Sequence, residues 1–100
     1  MKDFSVIIPV YKSTDSLNII EKQLSEIFKN LDKTYDIIFV NDCPSFLPTL
    51  KTISELKKKN NAIKSIIMRK NYGQQFAILV GMSFANAKYL EDFKSMRILQ

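Results

Sequence analysis

Histidine is absent from this sequence of 100 residues, and cysteine occurs once. Without histidine there is no Ser-His-Asp or Cys-His nucleophile relay and no zinc site with a histidine ligand. A single cysteine cannot form a disulfide within the chain or a Cys-x-x-Cys metal site. The sequence therefore excludes relay hydrolases, Cys-His proteases and the common zinc proteins.

A long hydrophobic run is also missing. The longest stretch without charge, Asn71 to Ala87, contains several amides and is too short and too polar to span a membrane. The N-terminus does not resemble a signal peptide, because Asp3 follows Lys2 and Pro9 interrupts the apolar residues behind them. We therefore expect a cytoplasmic protein in a reducing compartment.

The composition is that of one ordinary globular domain. Hydrophobic residues make up 46% of the chain, and 15 basic residues against 10 acidic ones give a formal net charge of +5. The basic excess is concentrated in Lys57 to Lys59, which is typical of a solvated helix face. Such a run could attract an anionic ligand or a membrane surface. It has no interleaved aromatic residues, so we expect no nucleic-acid partner.

Hydrophobic periodicity predicts strands and helices in alternation. Short apolar runs indicate buried strands, and apolar residues at steps of three and four indicate amphipathic helices. The predicted strands are Phe4–Tyr11, Tyr35–Val40 and Ile63–Met68, and the predicted helices cover 17–31, 47–56 and 74 to about 88. This order predicts a Rossmann-like α/β/α fold of three layers with a short, mainly parallel sheet.

Ligands of parallel sheets bind beyond the carboxyl ends of the strands, which directs attention to the loops at 9–15, 41–45 and 69–75. In the first loop, Pro9 fixes the direction in which the strand exits, and Tyr11 offers a ring on which a base could stack. The alternative is a strand end with a half-buried tyrosine. No glycine-rich phosphate loop is present here, so a nucleotide would be held mainly by its base and ribose.

The second loop opens with Asn41 and Asp42. A carboxylate at this position can accept hydrogen bonds from a base imide N–H or from ribose hydroxyls. The alternative is a turn-forming Asn-Asp pair, which is common between strands and helices. Cys43 has no basic partner in the sequence, so we interpret it as a packing residue.

The third loop, Arg69 to Gln75, combines two cations with the start of a helix. Cations and a helix N-terminus are what a diphosphate requires. The alternative is a solvated turn with Gly73 at a positive φ. Gly81, inside the following helix, costs about 1 kcal/mol relative to alanine unless a neighbour packs closely against it.

Taken together, these segments resemble the family-2 glycosyltransferases, which are inverting enzymes of GT-A fold. SVIIPVY resembles the opening strand of that family, VNDCPS its strand-end Asp-Asp-Gly-Ser element, and RKNYGQQFAILVGMSFANA its Asn-x-Gly helix start. The resemblance covers Phe4 to about Ala87. The form Asn-Tyr-Gly-Gln leans towards the branch that acts on polyprenyl-phosphate or polysaccharide acceptors.

The resemblance implies a site for a nucleotide sugar, with a UDP-sugar as the expected partner. Pro9 and Val10 would contact the base through their backbone, and Tyr11 would stack on it. Asp42 takes the place of the acid that binds a uracil-type base, and Asn41 replaces the first acid of that pair.

Gly73 and Gln74 would lie near the ribose or the diphosphate. The family's Asp-x-Asp motif, which holds Mg²⁺ or Mn²⁺ in an intact relative, has no counterpart, because KYLEDFKSMRILQ follows Ala87. We therefore expect no metal or cofactor in this chain, and no catalytic residue can be placed. Residues 1–88 are expected to form a donor-binding domain that is inactive by itself, and residues 89–100 a divergent or helical tail.

A hypothesis of another class is a non-catalytic interaction module that kept the fold and forms homo-oligomers through an exposed sheet edge. A third hypothesis is a small nucleotide-binding or receiver-like domain. The absence of an acidic cluster and of a strand-end lysine argues against the receiver variant. For the glycosyltransferase hypothesis, the intact enzyme is expected at the inner face of the membrane.

Overall fold

Strands and helices alternate through this computed structural model, which describes residues 2–69, 74–84 and 87–92. In chain order the elements are β1 (Lys2–Val10), α1 (Asp15–Leu31), β2 (Tyr35–Asn41), α2 (Leu47–Lys59), β3 (Ile63–Ile67), α3 (Gln74–Phe84) and β4 (Ala87–Asp92). The strands form one sheet of order β3-β2-β1-β4, and each neighbouring pair is parallel. The predicted α/β fold with a parallel sheet is confirmed.

Helices cover both faces of the two central strands, which explains why β1 and β2 are apolar almost throughout. One core joins alternate residues of β1 and β2, such as Val6 and Phe39, to Leu24 of α1 and Leu56 of α2. The other residues of these strands form a second core on the opposite face, where residues of α3 pack against it. The three predicted layers are therefore α1 with α2, the sheet, and α3.

A buried carboxylate lies at the amino end of this sheet. Asp36 is 1% exposed, accepts a hydrogen bond from the Ser5 hydroxyl, and has its Oδ2 3.1 Å from Lys64 Nζ. A buried charge without such partners would be strongly destabilising, so these contacts allow the carboxylate to remain in the sheet. The opposite, carboxyl end of the strands is the end that carries the predicted binding loops.

The chain after α3 differs from the expectation. Residues 87–92 form β4, which pairs in parallel with β1 from Lys2 opposite Ala87 to Ile7 opposite Asp92. The helical option for the tail is therefore wrong for residues 89–92, and α3 ends at Phe84 instead of near residue 88. The divergence of the tail and the domain boundary at residue 88 stay predictions. The side-chain pattern does not predict this strand, because residues 87–92 become a strand by pairing with the backbone of β1. An open strand edge is a row of unpaired backbone groups and favours such pairing. Residues 93–100 lie outside the described part.

Within the described residues, none of the helices combines the length and the apolar character required to cross a membrane. The buried apolar residues of α1 and α2, such as Leu24 and Leu56, contribute to the core beneath them.

Gly81 brings the backbone of α3 close to the sheet. A Cβ at this position would overlap Cγ2 of Ile7 and lie 3.0 Å from Cγ2 of Val40. Close packing thus explains why a glycine occurs inside this helix. Glycine lowers the stability of a helix relative to alanine, and here the absence of a Cβ lets α3 approach the sheet.

Replacing this glycine should destabilise the protein. Gly81→Ala gains about 1 kcal/mol of helix propensity, but overpacking of a tight core costs about 1 to 3 kcal/mol. We expect a net loss in the free energy of unfolding, measured by urea denaturation. The control is Ser83→Ala in the same helix, where an exposed side chain is removed and a change within about 0.5 kcal/mol is expected. Equal stability of Gly81→Ala and the parent protein would contradict the close approach.

Candidate functional site

The ends of β1 and β2 lie side by side at the carboxyl edge of the sheet. Val10 is the register partner of Asn41, and Asn41 is in turn the partner of Ile67 in β3. Beyond the strands, the Asp42 N–H donates to the Val10 carbonyl over 2.8 Å. The first two predicted loops therefore leave the sheet next to one another.

Tyr11 is the first residue after β1, and its side chain is 54% exposed. The residues before it differ: Pro9 is half-buried and Val10 is buried. About half of the residue is therefore covered at the strand end, and its stacking role and the alternative of a half-buried tyrosine both stay predictions.

Lys12, which sequence reasoning did not single out, accompanies this ring. Its Nζ lies 5.4 Å from the centroid of Tyr11, within the distance of a cation–π contact. Lys12 also has a φ of 55°, in the left-handed region that few residues other than glycine, asparagine and aspartate adopt readily. No sequence pattern signals this conformation at a lysine, so only the structure identifies the residue.

Asn41 and Asp42 are both buried, with 0% and 4% exposure. The Asn41 Oδ1 accepts a hydrogen bond of 3.0 Å from the Cys43 N–H, which is the geometry of an Asx turn. The turn-forming reading is thus observed for Asn41. Asp42 follows directly, and its backbone N–H is held at the end of β1 by the hydrogen bond to the Val10 carbonyl.

Thr49 joins the second helix to the first loop. Its hydroxyl donates to the Ser13 carbonyl over 2.7 Å, and the side chain is fully buried. Sequence reasoning missed this contact, although one signal was available: Thr49 shares the buried face of α2 with Ile53 and Leu56. A threonine in phase with core residues at the start of a helix is a candidate for such a bond.

The third loop begins beside the end of β2. Met68 precedes it, and the Met68 N–H donates to the Asn41 carbonyl over 2.9 Å, so this loop starts at the same edge. Gly73 lies outside the described residues, and Gln74 is described only as the first residue of α3. Their contribution to the site stays a prediction.

The thiol of Cys43 is free and buried. Its Sγ lies 3.7 Å from the Ser45 hydroxyl, a weak contact with a group that is not a base. This environment agrees with the interpretation as a packing residue.

The described residues contain no cluster of side chains that could hold a metal ion by themselves. No group of three or more His, Cys, Asp or Glu with a suitable arrangement occurs among residues 2–69, 74–84 and 87–92. The acidic pair Glu91 and Asp92 lies opposite Val6 and Ile7, and thus short of the carboxyl edge at Val10. We derive no chemical step through a metal from these residues.

The sequence of this chain is similar to a known protein family and to a curated relative. The family model for Glycosyl transferase family 2 matches residues 5–90. An uncharacterized glycosyltransferase from Synechocystis sp. (strain ATCC 27184 / PCC 6803 / Kazusa) is 34% identical over 83 residues, which are 83% of this chain. The chain spans 26% of the length of that relative. The matched range includes all three loops of the carboxyl edge and extends into β4.

Loss of the buried hydrogen bond from Thr49 to the first loop should lower the free energy of unfolding. Thr49→Val keeps the shape of the side chain but leaves the Ser13 carbonyl without this donor, which costs about 1 to 3 kcal/mol. Thr52→Val is the matched control, because Thr52 also donates to a backbone carbonyl, that of Pro48, but in an exposed position. Urea denaturation should show a loss for Thr49→Val and a change within about 0.5 kcal/mol for Thr52→Val. Equal losses would contradict the bond's structural role.

Proposed function

The chain belongs to glycosyl transferase family 2, and from this premise we propose that its carboxyl edge binds the nucleotide part of a nucleoside-diphosphate sugar, with UDP as the preferred nucleotide. The observation that carries the proposal is the hydrogen bond from Asp42 N–H to the Val10 carbonyl. It brings an accessible aromatic residue, Tyr11, and a carboxylate, Asp42, to neighbouring positions on one edge of the sheet.

Tyr11 supplies the stacking surface in this proposal. Stacking of a base on an aromatic side chain contributes about 1 to 3 kcal/mol and depends on an accessible ring face. Tyr11 is 54% exposed, so solvent reaches the residue at the end of β1. Lys12 lies over the ring and is the cation nearest to it in the described contacts, so its ammonium group is also placed to attract the phosphates.

Asp42 supplies recognition of the base. A uracil ring carries one imide N–H, and a carboxylate is a strong acceptor for it in a site shielded from water. The Val10 carbonyl already accepts the Asp42 N–H, which leaves it one further acceptor position for the ligand. Contacts from the backbone of Pro9 and Val10 to the base belong to the same proposal.

The reaction in the intact enzyme would be displacement of the nucleoside diphosphate by an acceptor hydroxyl. Since the chain spans 26% of its relative, we assign it the donor-binding part and propose that it does not turn over by itself. In an intact relative, Mg²⁺ or Mn²⁺ would neutralise the leaving diphosphate. Base recognition by Tyr11 and Asp42 should therefore persist without added metal.

The proposed acceptor is a polysaccharide or a polyprenyl phosphate, because the Asn-Tyr-Gly-Gln segment resembles the branch of the family that acts on such acceptors. With such an acceptor, we propose that the intact enzyme acts in the cytoplasm at the inner face of a membrane, where the basic run Lys57 to Lys59 would favour an anionic surface. Gly73 and Gln74 are assigned to the ribose or the diphosphate.

A second candidate function is oligomerisation through the sheet edge. It is favoured by β3, one of the two outer strands of the described sheet, on which Ile67 is 56% exposed. Titration with UDP in the presence and absence of Mn²⁺ separates the two functions. Binding that depends on the base supports the nucleotide site, whereas no binding to any nucleoside diphosphate supports the interaction module.

Removing the charge of Asp42 should remove most of the affinity for UDP. Asp42→Asn keeps the side-chain shape but loses a charged acceptor, and a hydrogen bond to a charged group contributes about 1.5 to 3 kcal/mol. Isothermal titration calorimetry should therefore show a loss of about tenfold or more. Asp32→Asn is the control, because Asp32 is an exposed residue that follows α1. Unchanged affinity of a folded Asp42→Asn variant would overturn the role of this carboxylate.

Tyr11 can be tested with two substitutions. Tyr11→Phe keeps the ring and should bind UDP about as tightly as the parent protein. Tyr11→Ala removes the stacking surface and should bind about 5- to 100-fold more weakly. Fluorescence competition with a labelled uridine nucleotide measures both variants. If the alanine variant binds as well as the phenylalanine variant, stacking on Tyr11 does not occur.

A further inference from the structure

A surface pocket of about 360 Å³ lies between α2 and the outer strand β3, on the face of the sheet that α1 and α2 cover. Its volume is within the range of sites for small molecules. The proposed nucleotide site does not account for it, because neither Tyr11 nor Asp42 lines the pocket. Asn41, at the end of β2, is the one residue that it shares with the carboxyl-edge loops.

The walls of the pocket are largely aliphatic. Leu50 and Ile53 of α2 line it together with Ile67 of β3. Ile67 is 56% exposed, which is unusual for an isoleucine, whereas Ile53 is buried at 4%. A compact apolar group in the pocket would therefore cover hydrophobic surface that water now contacts.

The polar groups of the lining carry hydrogen-bond donors and positive charge. Lys57 and Lys58 of α2 line the pocket together with the hydroxyls of Ser54 and Ser65. The Lys57 ammonium group donates to Ser65 Oγ over a long 3.4 Å. None of the described residues that line the pocket is acidic, so an anion there would meet no negatively charged side chain in the lining.

Asn41 provides an independent indication of a ligand. Its side chain is fully buried, and its Nδ2 has no hydrogen-bond partner in the described part of the chain. The Oδ1 is already used by the Cys43 N–H, which fixes the orientation of the amide. A buried donor without an acceptor costs about 1 to 3 kcal/mol. An acceptor atom in the pocket that Asn41 lines would remove this cost.

We propose that the pocket binds a small organic oxyanion. The apolar body of the ligand packs on Leu50, Ile53 and Ile67. Its anionic head group lies at Lys57 and Lys58. One of its acceptor atoms takes the hydrogen bond from Asn41 Nδ2. The proposal does not rest on nucleotide binding by Tyr11 and Asp42, because neither residue lines the pocket, although Asn41 at the end of β2 lies at both proposed sites.

Phenyl phosphate is a suitable probe, because it combines an aromatic body with an oxyanion. In a titration of the ¹⁵N-labelled chain without nucleotide, we expect saturable shifts of the Asn41 side-chain amide and of the Ser65 and Ile67 backbone amides. Inorganic phosphate lacks the body and phenol lacks the charge, so each should bind about tenfold or more weakly. Absence of saturable shifts, or equal binding of phenol, would overturn the proposal. Shifts confined to Tyr11 and Asp42 would also overturn it, since the probe would then occupy the nucleotide site.

A pair of lysine variants separates specific binding from general charge attraction. Lys58→Met removes a charge that lines the pocket, whereas Lys59→Met removes the same charge from the next residue of α2, which does not line it. We expect Lys58→Met to weaken phenyl phosphate binding about fivefold and Lys59→Met to leave it within about twofold. Equal effects of the two substitutions would overturn the assignment of the head group to Lys58.

Discussion

The parallel pairing of β1 with β2 is the constraint on which the carboxyl edge depends. Both strands are buried on both faces, so a shift of one residue in their register would exchange the side chains that face the two cores. It would also separate Asp36 from Ser5, its partner at the amino end. The observed register lets the Asp42 N–H reach the Val10 carbonyl. The apolar core therefore determines where the polar loops meet.

Much of this arrangement could be predicted from the sequence, because apolar runs and helical periodicity report on burial. The alternation of strands and helices, the parallel sheet and the meeting of the first two loops all follow from burial and from the chirality of crossover connections. β4 could not be predicted in this way, since its strand depends on an edge provided by β1, distant in the chain. The φ of Lys12 and the bond from Thr49 to Ser13 are likewise set by tertiary context. The positions proposed for Gly73 and Gln74 stay predictions.

Asn41 connects the two proposed sites by dividing its polar groups among three neighbours. Its carbonyl accepts the Met68 N–H next to β3, its Oδ1 accepts the Cys43 N–H in the turn that leads into Asp42 and Cys43, and its Nδ2 has no partner among the described residues and is the donor proposed for the pocket. An aspartate at this position could accept the same bond from Cys43 but would offer no N–H. The amide is thus the feature that allows one residue to shape a loop and also to present a donor on the flank of the sheet.

The central position of β1 has a consequence for the order of events during synthesis. The partner strand on one side, β2, soon follows β1, whereas Lys2 meets its other partner, Ala87, only after most of the domain has left the ribosome. Until then, one side of an apolar strand stays open to other chains, and the closure of such a distant contact is slow. A nascent chain paused before β4 would therefore present a site to which chaperones can bind and at which aggregation can start.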